Sequence, residues 1–439
     1  MGGSGCLGAS RWLLAIVLII VVKAEGEDSG TGLHEPSKAS LSPAGPQTAR
    51  RVAVIGGGIG GASASYFLKE EGVEVSVFER SDSMGGRSAS IPLPGANLEK
   101  QNMEMGAGIL YTGNRYLYNI SLKMGLLHIP SPARSFAFWD GSRFVFRSGV
   151  TKFQTSLKML WRYGRSILRL TKTVKRNLVD FTKLYEVQEQ GLAFERPEDL
   201  WKAVGLYELT QTSVATYLRG EGLSQRIISE LVAAVNRVNY NQGNTLNALA
   251  GVVSLCPLVT GSTFTIKQGN GAIAHALVQH AATNVANNTA VDVLVIRRDP
   301  SSGKRLYDLR SGATTLGTFD AVVLATPLEA AHLKIVRQQQ SGEEIEEKVQ
   351  VPARTFQTTH TTWIRGTLQE SFFAVSRTGR WQVVMRLMDR VVDTFRALRG
   401  KTLMLPDSVY LTEEGSQSPS VFFSSIGHYT EFKIGGGSK

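Results

Sequence analysis

The chain has 439 residues, which at ~150 residues per domain is enough for about two or three domains and a large core. Apolar residues make up 42% and charged residues 19%, so a mostly disordered chain is excluded. Two cysteines, Cys6 and Cys256, exclude a disulfide-stapled scaffold and a cysteine-based zinc cluster, and the seven histidines lack metal-binding spacing. The net charge of +11 points to acidic surfaces, a membrane or nucleic acid as partners but does not restrict the fold.

The N-terminus has the pattern of a secretory signal. Arg11 precedes the apolar run Trp12–Val22, which is too short for a membrane-spanning helix of ~20 residues. We expect a signal peptide over residues 1–24, with a retained anchor as the alternative, and a disordered linker over residues 25–49 that is rich in Gly, Ser and Pro. Two Asn-x-Ser/Thr sequons, at Asn119 and Asn287, would be glycan acceptors on a secretory route.

The next segment has the pattern of a dinucleotide-binding unit. The apolar run Arg51–Ile55 predicts a buried parallel strand, and it leads directly into the glycine-rich turn Gly56–Gly61. A helical pattern follows over Ala62–Gly72, and Val73–Arg80 predicts a second strand that ends in an acidic residue. This order of strand, glycine turn, helix, strand and acid is far more specific than a glycine motif alone.

Each residue type of this unit suits a dinucleotide for a physical reason. Gly56 permits the tight turn, Gly58 lets the backbone approach a pyrophosphate, and Gly61 lets the helix pack close to the strand. The helix N-terminus offers backbone N–H groups and the positive end of its dipole to the phosphates. The carboxylate of Glu79, at the end of the second strand, would accept hydrogen bonds from ribose hydroxyls.

Two further glycine-containing segments extend the predicted site. In Met84–Arg87, the backbone of Gly85 and Gly86 adds anion-binding N–H groups, and Arg87 adds a cation beside the pyrophosphate. In Met103–Tyr111, Glu104 precedes a turn of small residues against which a flat ring could lie. The predicted binding residues of these segments are Gly85, Gly86, Arg87, Glu104, Gly106 and Ala107.

The segment Lys152–Lys183 predicts a basic amphipathic helix. Its apolar residues recur at steps of three and four, and eight basic residues lie among them between Lys152 and Arg176. Two roles remain open: lying on anionic lipid, or covering the core while a basic face stays in water. Nucleic-acid binding is disfavoured because no aromatic-interleaved motif accompanies the charge. The apolar residues of the pattern are Leu157, Leu160, Trp161, Gly164, Ile167, Leu168, Val174, Leu178 and Phe181.

The first unit and its Gly-Gly-Arg segment resemble the superfamily of flavin-dependent amine oxidases and phytoene desaturases. The resemblance implies FAD as the cofactor, with its adenosine and pyrophosphate ends on this unit, and it adds Arg80 of the Glu-Arg pair to the binding residues. Later segments, including WRYG at Trp161–Gly164, VNYNQ at Val238–Gln242 and QGNGA at Gln268–Ala272, resemble the prenylcysteine oxidases in particular. The similarity spans about Arg51 to Phe373.

That family resemblance implies an enzyme of the lysosome lumen, with secretion as the alternative. Its members cleave the thioether of farnesyl- or geranylgeranyl-cysteine with O₂ to give cysteine, a prenyl aldehyde and hydrogen peroxide. The implied step is hydride transfer from the prenyl carbon beside sulfur to the flavin. Another apolar substrate for an FAD oxidase is an alternative. We assign no catalytic side chain and no metal ligand, since the sequence shows no triad or ligand cluster.

The C-terminal part departs from the family pattern. We find no match after Phe373 to the glycine-containing segment whose backbone meets the flavin ring in these oxidases, so we expect that contact to be missing. A relative that binds prenyl groups in the lumen without turnover is therefore a third hypothesis.

The predicted fold class is α/β, with a Rossmann-type FAD-binding domain and an inserted α+β substrate domain. The strand patterns Val291–Asp299 and Asp320–Leu328 are interpreted as later strands that complete the FAD domain. We place the FAD-binding domain at residues 51–125 and 269–330, a mainly substrate-binding domain at 126–268, and a return to the substrate domain with an atypical C-terminus at 331–439.

Overall fold

The computed structural model describes seven segments between residues 50 and 347 and the backbone of several later strands. The segments are residues 50–92, 102–131, 136–140, 144–149, 151–194, 196–261 and 263–347, and the later strands lie between residues 359 and 428. The signal and linker predicted for residues 1–49, and most of the atypical C-terminus, lie outside the described residues.

The described residues form both strands and helices, with the longest run of successive helices between β8 and β9. The strands are β1 (Arg51–Ile55), β2 (Glu74–Phe78), β3 (Ser90–Pro92), β4 (Asn102–Glu104), β5 (Leu110–Tyr111), β6 (His128–Pro130), β7 (Ala137–Trp139), β8 (Phe144–Arg147), β9 (Thr263–Ile266), β10 (Asn284–Ala286), β11 (Val293–Arg298), β12 (Arg305–Ser311), β13 (Thr314–Phe319), β14 (Ala321–Leu324), β15 (Lys334–Gln338), β16 (Glu344–Glu347), β17 (Thr359–His360), β18 (Trp363–Gly366), β19 (Val384–Met385), β20 (Ser408–Thr412), β21 (Ser420–Ser424) and β22 (Gly427–His428).

The helices include one short π-helical turn, Ile228–Val232, which lies between α8 and α9. The α-helices are α1 (Ile59–Glu70), α2 (Arg115–Lys123), α3 (Lys152–Tyr163), α4 (Arg165–Glu189), α5 (Pro197–Ala203), α6 (Tyr207–Gln211), α7 (Val214–Gly220), α8 (Gln225–Ile227), α9 (Ala233–Tyr240), α10 (Ala248–Thr260), α11 (Ala272–Ala281) and α12 (Leu328–Ala331). Among the residues described, no helix combines the length and the apolar character that crossing a bilayer requires.

The chain divides into two compact units. The first takes in the described parts of Met1–Ala107, Ile120–Leu127 and Ile266–Arg354. The second takes in the described parts of Gly108–Asn119, His128–Thr265 and Thr355–Lys439.

A parallel sheet in the order β10-β2-β1-β14 forms the centre of the first unit. Residues Val52–Ile55 and Val75–Phe78 are buried, which explains why both strands are nearly continuous apolar runs. Helices α1 and α11 pack against each other beside this sheet. The predicted α/β class is confirmed, and so is the order β1, turn, α1, β2. However, α1 begins at Ile59 rather than Ala62, because Gly58 is already its N-cap.

A second sheet of the first unit has the order β13-β12-β11-β15-β16. Of the two later strands interpreted as completing the nucleotide-binding domain, β14 pairs with β1, but β11 pairs with β12 and β15 in this second sheet. Since β15 runs parallel to β11, the first unit continues past residue 330, where we expected the chain to return to the other domain.

The second unit is mainly helical around an apolar core. The predicted single helix over Lys152–Lys183 is wrong, because Gly164, with a φ of 56°, separates α3 from α4. Of the apolar residues in the pattern, for which the sequence left contact with the core or with lipid open, Leu157, Leu160 and Leu168 are exposed. The fully buried core side chains of this unit include Leu170, Val174, Val214, Leu218, Ile227, Ile228, Leu231 and Leu255.

Candidate functional site

The turn between β1 and α1 is held in shape by its glycines. The backbone N–H of Gly56 donates to the carbonyl oxygen of Phe78 at 2.8 Å, and the φ of Gly56 is 107°, which favours glycine. A Cβ on Gly61 would lie 1.9 Å from the carbonyl oxygen of Gly56. The first and last glycines of the turn are therefore required by the close approach of backbone to backbone.

The N-terminus of α1 is open for an anion. Its N-cap, Gly58, makes no side-chain capping hydrogen bond, and the first turn of the helix contains no acidic residue. A Cβ on Gly58 would meet no atom within 4 Å, so the backbone here borders open space. Uncapped N–H groups and the positive end of the helix dipole meet at this space, which suits the diphosphate of a dinucleotide.

Glu79 follows β2 directly and is only 8% exposed. One carboxylate oxygen, Oε2, accepts a hydrogen bond from the N–H of Gly57 at 2.7 Å, and Oε1 accepts one from the N–H of Ser81 at 2.9 Å. A carboxylate has about four acceptor positions, so acceptor capacity remains for ribose hydroxyls. Glu79 thus organises the glycine turn as well as offering an acceptor, a role that the sequence did not indicate.

The Met84–Arg87 segment lies against the first glycine turn. The N–H of Gly85 donates to the carbonyl oxygen of Gly57 at 2.9 Å, and a Cβ on Gly86 would lie 3.3 Å from the Cα of Gly58. The side chain of Arg87 is exposed beside these glycines. This proximity was predicted from the sequence, since both segments were assigned to the same pyrophosphate.

The two arginines predicted to bind the cofactor differ in what they contact. Arg80 is exposed, and its Nη1 lies 3.5 Å from the carbonyl oxygen of Ala330 in α12. Arg87, in contrast, contributes its carbonyl oxygen, which a Cβ on Gly106 would approach to 2.0 Å. Gly106 is therefore a close-approach glycine.

A third glycine turn, Gly269–Gly271, is tied to Glu104. Glu104 accepts hydrogen bonds from the Ser90 hydroxyl at 2.6 Å and from the N–H of Asn270 at 3.0 Å. Burial raises the pKa of Glu104, while the bonds from Ser90 and Asn270 partly offset the shift. The N–H of Gly271 donates to the Ser90 hydroxyl at 3.2 Å, which completes a short polar chain.

Asn270 and Ser90 were missed as site residues. Asn270 is 2% exposed, and its amide nitrogen donates to the carbonyl oxygen of Ala107 at 2.6 Å while its Oδ1 accepts from the N–H of Ile266 at 2.9 Å. The available signal was an asparagine between two glycines in the QGNGA segment.

The structure brings most of the predicted residues into one group. The turn Gly56–Gly61, Glu79, and the pair Gly85–Gly86 contact one another, and a Cβ on Gly85 would lie 3.8 Å from the carbonyl oxygen of Gly271. Through Gly271 and Arg87 the group adjoins Glu104, Gly106 and Ala107. Within the described segments, no cluster of three or more His, Cys, Asp or Glu could hold a metal ion.

Comparison with known proteins gives two family models along the chain. The model for a NAD(P)-binding Rossmann-like domain matches residues 54–120, which contain the glycine turn and Glu79. The model for prenylcysteine lyase matches residues 146–393, more than half of the chain.

Curated relatives match most of the chain. The chain is 28% identical over 385 residues to farnesylcysteine lyase of Arabidopsis thaliana, covering 83% of this chain and 70% of the relative. It is 30% identical over 374 residues to prenylcysteine oxidase 1-like of Bos taurus, covering 83% of this chain and 69% of the relative.

Solved structures share the fold at low sequence identity. Cyclohexylamine oxidase from Brevibacterium oxydans IH-35A matches with a TM-score of 0.50 and 15% identity, over 87% of this chain and 76% of that chain. The CLA-producing fatty acid isomerase from P. acnes matches with a TM-score of 0.51 and 14% identity, over 88% of this chain and 79% of that chain.

Proposed function

The chain belongs to the prenylcysteine lyase family, and on that basis we propose that it is an FAD-dependent thioether oxidase that cleaves prenylated cysteine. The resemblance to prenylcysteine oxidases inferred from the sequence is confirmed. Its enzyme class is that of the FAD-dependent oxidoreductases. The single observation that best supports the proposal is the open, uncapped N-terminus of α1 at Gly58, with Glu79 beside it.

The proposed reaction converts a prenyl thioether to an aldehyde. The prenyl carbon attached to sulfur loses two electrons and a proton, water adds to that carbon, and its bond to sulfur breaks. One prenylcysteine, one water and one O₂ give one prenyl aldehyde, one cysteine and one H₂O₂, so atoms and electrons balance. FAD, when bound, supplies the electron acceptor that passes both electrons to O₂.

The residues of this chain bind and orient the cofactor. The N–H groups at the start of α1 would hold the pyrophosphate, with Gly85 hydrogen-bonded to Gly57 and Gly86 close to Gly58. Glu79 would accept from the ribose while it fixes Gly57. Glu104, Ser90 and Asn270 hold the third glycine turn against Gly85. No side chain is assigned a proton-transfer role.

The test follows peroxide, free thiol and aldehyde from purified full-length protein given farnesylcysteine or, in a separate assay, geranylgeranylcysteine. We expect the three products in equal amounts from protein that shows the visible absorbance of flavin. S-Ethylcysteine, which lacks the allylic carbon, is the control and should give none. A flavin-loaded protein that gives no peroxide with either prenyl chain length would indicate another apolar substrate. Protein that does not take up flavin would indicate a relative that binds without turnover.

We also propose that the protein enters the secretory pathway and acts in the lysosome lumen, with secretion as the alternative. The asparagines of the two sequons, Asn119 on α2 and Asn287 after β10, are both exposed, which supports access of a glycan transferase. Expression in animal cells should give protein whose mobility increases on endoglycosidase treatment. Asn119→Gln and Asn287→Gln should each remove one step of that shift, and a cytosolic unglycosylated product would contradict the proposal.

A further inference from the structure

Helix α3 has apolar side chains on two opposite faces. Met159 and Tyr163 point into the core and are 7% and 4% exposed. Four other apolar side chains follow the spacing i, i+4, i+7 and i+8, which places them together on the outward side. These residues, here called the outer face of α3, are Phe153 (77% exposed), Leu157 (57%), Leu160 (44%) and Trp161 (88%).

Helix α3 cannot rotate to bury its outer face without breaking an ion pair to the neighbouring π-helical turn. Arg162 donates to Glu230 of the π-helical turn through both Nε, at 2.7 Å, and Nη2, at 2.8 Å. The two side chains are only 26% and 15% exposed. This bidentate pair fixes the rotation of α3 about its axis, so Trp161, the neighbour of Arg162, is held in an outward position.

A cationic surface accompanies the outer face. Between Thr151 and Val179 the sequence contains eight Lys or Arg residues and no Asp or Glu. Arg162 and Arg176 pair with Glu230 and Glu221. Four other cations are exposed and form no ion pair within the described residues, namely Lys152, Arg165, Lys172 and Lys175.

Helix α4 continues the same combination of groups. Its residues Leu168, Lys172, Lys175 and Val179 follow the spacing i, i+4, i+7 and i+11, which is one helix face. Leu168 is 62% exposed and Val179 is 63% exposed. Exposed apolar side chains with flanking cations thus extend along both helices.

We propose that α3 and α4 bind the surface of an anionic lipid membrane through the outer face of α3 and these unpaired cations. Aromatic and aliphatic side chains with Lys and Arg beside them match the boundary between acyl chains and phosphate headgroups. A second copy of this chain fits less well, because a two-fold interface would place the same cations against one another. The surface is present whether or not the chain turns over a prenylcysteine, so the proposal is independent of the proposed function.

The test is flotation of the full-length protein with vesicles. We expect binding to vesicles of phosphatidylcholine mixed with phosphatidylserine, weaker binding to phosphatidylcholine alone, and loss of binding as salt is raised. The double variant Phe153→Ala/Trp161→Ala should weaken binding by roughly tenfold or more, because both side chains lose their burial in lipid. Its control, Leu192→Ala/Ile345→Ala, removes two apolar side chains that are 50% and 45% exposed elsewhere and should bind like wild type.

A charge variant tests the second half of the surface. Lys172→Glu/Lys175→Glu should reduce binding to the anionic vesicles by roughly tenfold or more, since two cations attracted to the headgroups are replaced by two repelled anions. Lys304→Glu/Lys334→Glu changes the net charge equally at exposed positions of the first unit and should bind like wild type. Equal losses from both charge variants would show that only net charge matters and would overturn the assigned surface.

Tryptophan fluorescence tests whether lipid, rather than another part of this chain, covers the outer face of α3. The emission lost in Trp161→Phe reports Trp161, and it should be quenched by acrylamide without vesicles and shift to the blue with anionic vesicles. Shielding from acrylamide before vesicles are added would show that another part of the chain covers the face, which contradicts the proposal. So would a dimer in sedimentation experiments that Phe153→Ala/Trp161→Ala converts to a monomer.

Discussion

The glycine turns of the first unit and the outer face of α3 present functional surface in opposite ways. At Gly56, Gly58 and Gly61 the backbone itself is presented, because a Cβ on Gly56 or Gly61 would meet backbone atoms and one on Gly58 would enter the open space. On α3 the backbone forms the hydrogen bonds of the helix, and large side chains are exposed to solvent. The residue type, glycine, therefore indicates function in the first region. In the second region the direction of each side chain decides whether it packs in the core or is exposed.

The largest effect should come from adding one carbon atom to the glycine turn. In Gly61→Ala the new Cβ would lie 1.9 Å from the carbonyl oxygen of Gly56, so β1 and α1 must separate. We expect protein that is poorly soluble and contains no flavin, measured by yield, thermal unfolding and visible absorbance.

Two further alanine variants separate the loss of flavin from the loss of folding that is expected in Gly61→Ala. Gly58→Ala has open space around its Cβ, so it should keep the melting temperature of the apoprotein yet lose flavin to the intruding methyl group. Gly220→Ala, in α7, also meets no atom within 4 Å and should change neither property. Flavin retained in Gly58→Ala would contradict the placement of the diphosphate at α1.

The next effect compares the two faces of α3. Met159→Ala should lower the free energy of unfolding by about 2–5 kcal/mol, because it opens a cavity in the core. Trp161→Ala removes a larger side chain but should change the free energy by less than about 0.5 kcal/mol, since Trp161 is 88% exposed. Urea unfolding of both variants measures this difference, and similar losses would show that Trp161 is packed against protein.

The same two regions show what could be predicted from the sequence. The order β1, glycine turn, α1, β2 and Glu79 was predictable because a local pattern of glycines and apolar residues determines it. The face of α3 that packs on the core was not, because apolar residues lie on both faces and periodicity does not distinguish inside from outside.

Long-range contacts explain what was missed at the site. Asn270 reaches Glu104 from 166 positions away in the sequence, and Ser90 reaches Gly271 from 181 positions away. No local sequence pattern predicts such distant pairs. The one local feature that pointed to them was Asn270, an asparagine between two glycines. The break at Gly164, whose φ is 56°, had a clearer signal, namely a glycine inside the helical pattern.

A smaller effect is expected at Glu79. In Glu79→Gln one oxygen is replaced by an NH₂ group that faces a backbone N–H, from either Gly57 or Ser81. Leaving such a buried donor unpaired should cost about 1–3 kcal/mol of stability and weaken FAD binding. Thermal unfolding and titration of the apoprotein with FAD measure both, and Glu343→Gln, at an exposed loop, is the control. Unchanged FAD affinity would show that Glu79 acts only on the turn.

The smallest effect is the pH dependence that arises from Glu104. Burial raises its pKa in the folded protein above the ordinary value of 4.5, so folding favours the protonated carboxyl. The associated stability is fully present below pH 4.5 and is lost as the pH rises through the elevated pKa. In Glu104→Gln the group stays neutral, so the melting temperature of wild type relative to this variant should fall as the pH is raised above 4.5. A difference that is constant, or that grows in favour of wild type over this range, would show that the bonds from Ser90 and Asn270 outweigh the burial of the carboxylate.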